Sequence, residues 1–266
     1  MSAAEGLSAP ELILSLADAA PEPRLSAADL VAAGALLGID TGTIRVAAAR
    51  LVKKGVLEQP TRGQYRLGSR GGELHRRILA WHRVEEQLAH WDGRWIGIFT
   101  AHLGRSDKSG LRARERALRL KGFAAARPGL AVRPANLRTQ PAELRAELAE
   151  LGLDEDALLL GIDATDPAHP FDPASLWDLA ALEQSYRANC ARLEASTSRL
   201  PRLDTQSAAR ETLLVGRAVM RDILIDPLLP EAMVDTALRR HMIDAMRRYD
   251  RLGKNCWRAF YRSLET

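Results

Sequence analysis

Residues 10–67 spell three short amphipathic helices and then a hairpin, each closed by proline or glycine, and that order leaves few folds open. In PELILSLADAA (10–20), Leu12, Leu16 and Ala19 share a helical face with Ile13 and Ala20, and Pro10 suits a first turn. Pro21 and Pro23 stop that helix. Ser26 is a good N-cap for SAADLVAAGALLG, where Leu30, Val31, Leu36 and Leu37 recur at helical spacing before Gly38. Asp40 or Thr41 caps a third helix running to about Lys54, with Ile44, Ala48, Leu51 and Val52 inward and Gly55 as its stop. VLEQPTRGQYRL then reads as two short strands around a turn at Pro60, Thr61, Arg62 and Gly63.

Helix, helix, helix, hairpin is the order of a winged helix-turn-helix, with the hairpin as the wing, and residues 1–70 are assigned to it. Charge placement points the same way. Residues 40–70 hold seven Lys/Arg against two acids, and Arg45, Arg50, Lys53 and Lys54 on the third helix avoid its apolar face. Thr41 and Thr43 stand at its N-terminal end, where a recognition helix meets bases. Arginine can donate two hydrogen bonds to guanine, short hydroxyls reach base edges or phosphate, and lysines meet backbone charge. The expectation is therefore that Thr41, Thr43, Arg45 and Arg50 approach the major groove of duplex DNA. Lys53, Lys54, Arg62 and Gln64 then contact phosphates or the minor groove beside it. Five residues apart, Arg45 and Arg50 lie roughly 140° from each other on a helix, so Arg45, nearer the N-terminus, is the better base reader. The same charges also suit a solvated cationic face on a small unit with no nucleic-acid role.

Residues 73–89, containing RRILAWHRVEEQLA, read as helical, with Ile78, Trp81 and Leu88 as a packing stripe, and 71–90 is expected to be a connector helix. His75 and His82 lie there near Glu85 and Glu86 without any recognised metal-ligand spacing. WDGRWIGIFTA (91–101) is a strand by type, and SGLRARERALRLKG (109–122) a helix ended by Gly122. FAAAR and LAVRP are short strands around Pro128 and Gly129, PAELRAELAELG (141–152) is a helix from Pro to Gly, and DALLLGIDA is a strand. Strand, helix, strand, strand, helix, strand is the order of a ferredoxin-like domain, here over 91–168, with two helices on one face of an antiparallel sheet. From 169 to 266 almost everything is helical, with breaks expected at Pro201, at DPLLP (226–230) and near Gly253. The fold class expected is α+β and multidomain: a winged helix-turn-helix, a ferredoxin-like α+β domain and an all-helical C-terminal domain.

Bulk properties close off other classes. A chain of 266 residues is long enough for two or three domains, and 46% hydrophobic with 27% charged residues is not a disordered composition. No run approaches the ~18 apolar residues of a spanning helix. MSAAEGLSAP lacks the basic and apolar regions of a signal peptide, so a cytoplasmic bacterial location, on the nucleoid when DNA-bound, is expected. Cys190 and Cys256 stand alone, suggesting neither a disulfide framework nor a zinc knuckle, and no metal or cofactor is expected. Residues 105–133 hold nine Lys/Arg against two acids while 134–183 hold two against eleven, so the net charge of +4 is gathered into faces.

Four ordered segments carry a family resemblance: TIRVAAARLVKKGVLE (43–58), WDGRW (91–95), LKGFAAARPGLAVRP (120–134) and DPLLP. WDGRW, followed at this distance by GF, GL and P, is the most specific of them. Over nearly its full length the chain resembles the PaaX-like family, named for the repressor of bacterial phenylacetate degradation. The resemblance implies a winged-helix domain, a central domain similar to the Cas2 fold and a helical C-terminal domain. It also implies a homodimeric repressor that binds an operator and releases it on binding an aryl-acyl-CoA, of which phenylacetyl-CoA is the candidate. Two segments depart from the family. The first central strand runs into IFTAHL, with Thr100 where an acidic residue is usual, and EAMVDTALRRHM follows DPLLP without the usual Pro and Trp.

The sequence has no Gly-rich phosphate cradle, so a CoA diphosphate would need basic side chains. Arg112, Arg114, Arg116 and Arg119, with Arg94 between two tryptophans, are the candidates, though a solvated face or further DNA contacts fit the first four equally well. A non-enzymatic chain is expected. A Cas2-like metal-dependent nuclease needs carboxylates at the end of the first central strand, where Thr100 stands, and GxSxG, GxxxxGK[ST] and HExxH are absent. The other alternative is a scaffold or partner-binding protein without specific DNA affinity.

Overall fold

The structure, a computed structural model, describes residues 7–19, 25–68, 80–104 and 106–264. It is a mixed helical and antiparallel-sheet protein with a helical C-terminal region. The chain divides into two compact units: Met1–Leu79 with Cys190–Met220 and Asp244–Thr266, and Ala80–Asn189 with Arg221–Ile243. Residues 169–266, expected as one helical domain, are therefore shared between two cores.

The first unit begins with α1 (Ala9–Ala19), β1 (Leu25–Ser26), α2 (Ala27–Leu36) and α3 (Thr41–Lys53), followed by β2 (Leu57–Thr61) and β3 (Gln64–Leu67). Leu12, Ile13, Leu16, Leu30, Ile44, Ala48, Leu51 and Leu57 form its core, joined by Ala209, Trp257 and Phe260 from the C-terminal region. α2 opens with a reciprocal cap: the Asp29 amide donates to Ser26 Oγ at 3.0 Å and the Ser26 amide to Asp29 Oδ2 at 2.9 Å. The sheet order is β1-β3-β2. β1 was not foreseen: it pairs only Leu25 with Tyr65 and Ser26 with Gln64, too few residues to show an alternating pattern. Pro60 falls where the β2–β3 register shifts, on an edge strand, a position that tolerates its missing amide hydrogen.

Of the connector helix expected over 71–90, residues 71–79 lie outside the described residues. The stretch Trp81–Gln87 is of 3-10 type and is broken by a non-helical backbone at Arg83, φ −114° and ψ 16°, where a continuous connector helix was expected. Trp81 and Val84, on either side of that break, are both buried.

The second unit contains β4 (Trp95–Phe99), α4 (Lys108–Leu120), β5 (Ala124–Arg127), β6 (Leu130–Pro134), α5 (Pro141–Leu151) and β7 (Leu158–Ile162), within a residue or a few of the expected bounds. All pairings are antiparallel, in the order β5-β6-β4-β7, with Trp95 opposite Pro134 on one side and Ile162 on the other. α4 and α5 bring Ala117, Leu120, Leu144, Leu148 and Leu151 onto Ile98 and Ala131. Next follow α6 (Pro173–Leu176), α7 (Leu179–Arg199), α8 (Thr205–Ile225) and α9 (Thr236–Ser263). Pro201 does interrupt the helical run, and DPLLP separates α8 from α9, but the break expected near Gly253 is absent. Gly253 sits inside α9, where a Cβ would meet Thr212 Cβ at 3.4 Å, an ordinary van der Waals contact. Among the described residues no helix is long and apolar enough to cross a membrane.

A buried polar network organises the second unit. Arg133, 2% exposed, donates to the Lys121 and Pro134 carbonyls and to Asn136 Oδ1, the last at 3.0 Å. Asn136 donates to the Leu228 carbonyl at 2.8 Å, and the Leu228 amide donates to Asp226 Oδ1 at 2.7 Å, holding Leu228 at φ 55°. Arg239 reaches the Leu229 carbonyl at 2.7 Å, and burial pushes the Asp226 carboxyl above its ordinary range. The sequence segments 120–134 and DPLLP thus meet at one centre. Gly122, at φ 74°, lies so close to Pro227 that a Cβ would stand 2.6 Å from its carbonyl oxygen and 2.8 Å from its Cα.

Gly122→Ala combines a left-handed backbone with an overpacked contact and is expected to cost roughly 2–4 kcal/mol. Gly93, at φ 93° with nothing within 4 Å, is the control in the same unit, and Gly93→Ala carries only the backbone penalty of about 1–2 kcal/mol. Urea denaturation of the two variants measures the difference, and equal losses would contradict the close approach to Pro227.

Candidate functional site

α3 has two unlike sides. Ile44, Ala47, Ala48 and Leu51 are buried, while Thr41, Thr43, Arg45, Val46, Arg50 and Lys53 are exposed. Its inner side rests on α2 at Gly34, where a Cβ would lie 2.6 Å from Ile44 Cγ1. Its N-terminus is fixed by Asp40, whose carboxylate accepts the Thr43 amide at 2.9 Å and the Thr43 hydroxyl. Those hydrogen bonds from Thr43 hold the Asp40 carboxyl below the usual carboxylate range. The Thr43 hydroxyl is thereby engaged as a donor, leaving its oxygen lone pairs to accept.

Arg45, Arg50, Lys53 and Lys54 are exposed, as is Arg62 in the β2–β3 turn, and none of their side chains forms a hydrogen bond or ion pair with another described residue. Arg66 differs: its guanidinium holds Glu58 across the hairpin at 2.6 Å. The turn is tied down by the Ala27 amide, which donates to the Gly63 carbonyl at 2.8 Å. Gln64, half-buried, pairs in the middle strand with Ser26 and with Thr61. Sequence reasoning missed Val46. The signal was available, because an apolar β-branched residue two positions beyond Ile44 falls off the buried stripe.

The five arginines considered for an effector are placed differently from one another. Arg114 is buried, and its guanidinium grips Asp154 through two bonds of 2.7 and 3.0 Å. This is a structural ion pair that occupies the Nε–Nη2 edge of the guanidinium. Arg94 is exposed and held by Asp92 at 2.7 Å. Arg112, Arg116 and Arg119 are exposed on one face of α4, with Arg116 making a weak contact of 3.5 Å to the Leu151 carbonyl. Trp91 donates to the Arg94 carbonyl at 2.6 Å, and Trp95 is buried, stacked on Trp177 and edge-on to Trp91 and Phe171. The tryptophans act as packing anchors. Thr100, just past β4, donates to the Gly129 carbonyl at 3.4 Å. A shallow open cavity of about 430 Å³ is lined by Arg83, Glu86, Gln87, Arg138, Thr139 and Glu143, and includes none of the five arginines.

No family model matches the chain. No curated protein matches it either. Among solved structures it is similar to an uncharacterized protein of Mycobacterium tuberculosis, Rv0674, at 25% identity, with 94% of this chain and 99% of that one covered and a TM-score of 0.60.

Asp154→Asn is expected to destabilise the second unit by about 1–3 kcal/mol, the cost of leaving a buried donor group unsatisfied. Hydrogen bonding from Arg114 lowers the Asp154 pKa, so the stabilisation is present above the ordinary aspartate pKa of about 4 and is lost as pH falls through the lower folded value. Thermal melts from pH 7 to pH 2 are expected to show the gap between wild type and Asp154→Asn closing at the acid end.

Proposed function

We propose that the protein is a sequence-specific DNA-binding transcriptional regulator that reads duplex DNA with α3 and uses the β2–β3 hairpin as a wing. The observation that carries this reading is the set of exposed, uncommitted cations: Arg45, Arg50, Lys53 and Lys54 on one helix and Arg62 at the hairpin turn. A cationic side chain kept for the fold's own stability finds acceptors within the fold, as Arg66, Arg114 and Arg133 do. These five have none among the described residues, and phosphate and guanine edges are their chemical complement. Three helices, with β1 between the first two, and a sheet ordered β1-β3-β2 support a winged helix-turn-helix, and the order β5-β6-β4-β7 with both helices on one face supports a ferredoxin-like second unit.

The resemblance to the PaaX-like family supplies the rest of the proposal: a homodimeric repressor released by an aryl-acyl-CoA such as phenylacetyl-CoA. For the thioester's phosphates the proposal keeps Arg112, Arg116 and Arg119 and drops Arg114 and Arg94, which are engaged by Asp154 and Asp92. A differential affinity worth about 1–3 kcal/mol between the free and DNA-bound forms is enough for release.

The test is a gel shift on promoter DNA from the protein's own gene and its neighbours, with and without a panel of aryl- and alkyl-CoA thioesters. Binding that depends on sequence and is released by one thioester is the expected result. Retention that varies with salt alone, whatever the sequence, would favour the scaffold reading, because counterion release is blind to bases. Arg45→Ala is expected to cost about 1–3 kcal/mol of affinity and relax selection at one position, whereas Lys53→Ala weakens all duplexes alike. Unchanged operator affinity in Arg45→Ala sinks the assignment of that residue.

A further inference from the structure

Among the described residues Val46 is the most exposed large apolar side chain, 51% accessible on the outer face of α3. Nothing in the fold accounts for it. The helix is already anchored by Ile44, Ala47, Ala48 and Leu51, and valine is a poorer helix former than alanine, lysine, glutamate or glutamine at a solvated position. At roughly 100° per residue, Val46 lies opposite the buried stripe, with Gly42 about 40° to one side and Arg50 about 40° to the other, Ala49 about 60° away on the side of Gly42, and Arg45 beyond it at about 100°. Gly42, Val46 and Ala49 are all exposed, so on the side of Val46 towards Arg45 the outward face carries no long side chain until Lys53.

A helix face built in this way can seat its centre close to the floor of a groove while the flanking arginines reach sideways. What Val46 meets there is restricted by chemistry. Against a donor or acceptor on a base edge it would strip water and return no hydrogen bond, which is unfavourable. In unmodified duplex DNA the apolar group on the major-groove edge is the C5 methyl of thymine.

We infer that Val46 reads a thymine methyl group and that the protein selects sites carrying thymine at the position α3 places beneath this residue, flanked by the bases that Arg45 and Arg50 reach. The inference rests on the DNA-binding reading above and adds to it a contact that carries no charge and is indifferent to salt.

The experiment uses the full chain and a random duplex library. Bound sequences are selected, and each thymine of the selected site is then replaced in turn by deoxyuridine, which pairs identically and lacks only the methyl. At one thymine the wild type is expected to lose about fourfold in affinity, the factor that burying one methyl amounts to. Val46→Ala, an exposed change towards a better helix former, is expected to bind the thymine duplex about fourfold more weakly and to show no further loss with deoxyuridine. If no sequence is enriched, the DNA reading fails and this inference with it. If a site is enriched and deoxyuridine has no effect anywhere, or the same effect in Val46→Ala as in wild type, the Val46 contact is overturned while the DNA reading stands.

Discussion

The exposed face of α3 is only as well placed as the helix itself, and the helix is seated from within at the missing side chain of Gly34. A Cβ at that residue would lie 2.6 Å from Ile44 Cγ1 and 2.9 Å from its Cδ1, so Ile44 fills the space that any other residue would occupy. Glycine inside a helix costs about 0.5–1 kcal/mol relative to alanine, and here that cost is offset by the burial of Ile44. The direction in which Arg45, Val46 and Arg50 leave the surface follows from this contact, from the burial of Ala47, Ala48 and Leu51 beside it, and from the Asp40 cap at the helix start. The cations do not hold the helix; the apolar side holds it and leaves them uncommitted.

The second unit is fixed by the opposite device, a buried charge. Arg133 reaches three acceptors and lies with its guanidinium carbon 5.9 Å from the centre of the Phe123 ring, so its cation is met on several sides. Through Asn136 the same network reaches the DPLLP turn, where Leu228 adopts a backbone conformation leucine rarely takes. A strained turn of this kind persists only where the surroundings over-determine it, and here a carboxylate, an amide side chain and Arg239 all fasten it.

Much of this architecture could be read in the sequence because periodicity and stop residues are local signals. Leu12, Leu16, Leu30, Ile44 and Leu51 announce their helices, and the Pro60 to Gly63 turn announces its hairpin. What escaped depends on distant partners. β1 exists only because β3 pairs with it. Trp81 and Val84 are buried on either side of the backbone break at Arg83, and α9 runs on through Gly253 where a stop was expected. At the candidate site the free cations of α3 were legible, since their spacing opposes the apolar stripe. The engagement of Arg114 by Asp154, forty residues away, was not, and neither was the engagement of Arg94, whose partner Asp92 is close by but unmarked by any pattern.

The uncommitted cations have a price in the free protein. Arg50 with Lys53 and Lys54 forms like-charged pairs three and four residues apart, each unfavourable by about 0.2–0.5 kcal/mol when little salt is present. Salt relieves this repulsion, since at 0.1 M it screens charges over about 10 Å. The same salt weakens attraction to a polyanion. In the proposed DNA-binding role, ionic strength acts in two opposed senses, and the dilute buffers that favour that role are those in which the helix alone is under the greatest internal repulsion.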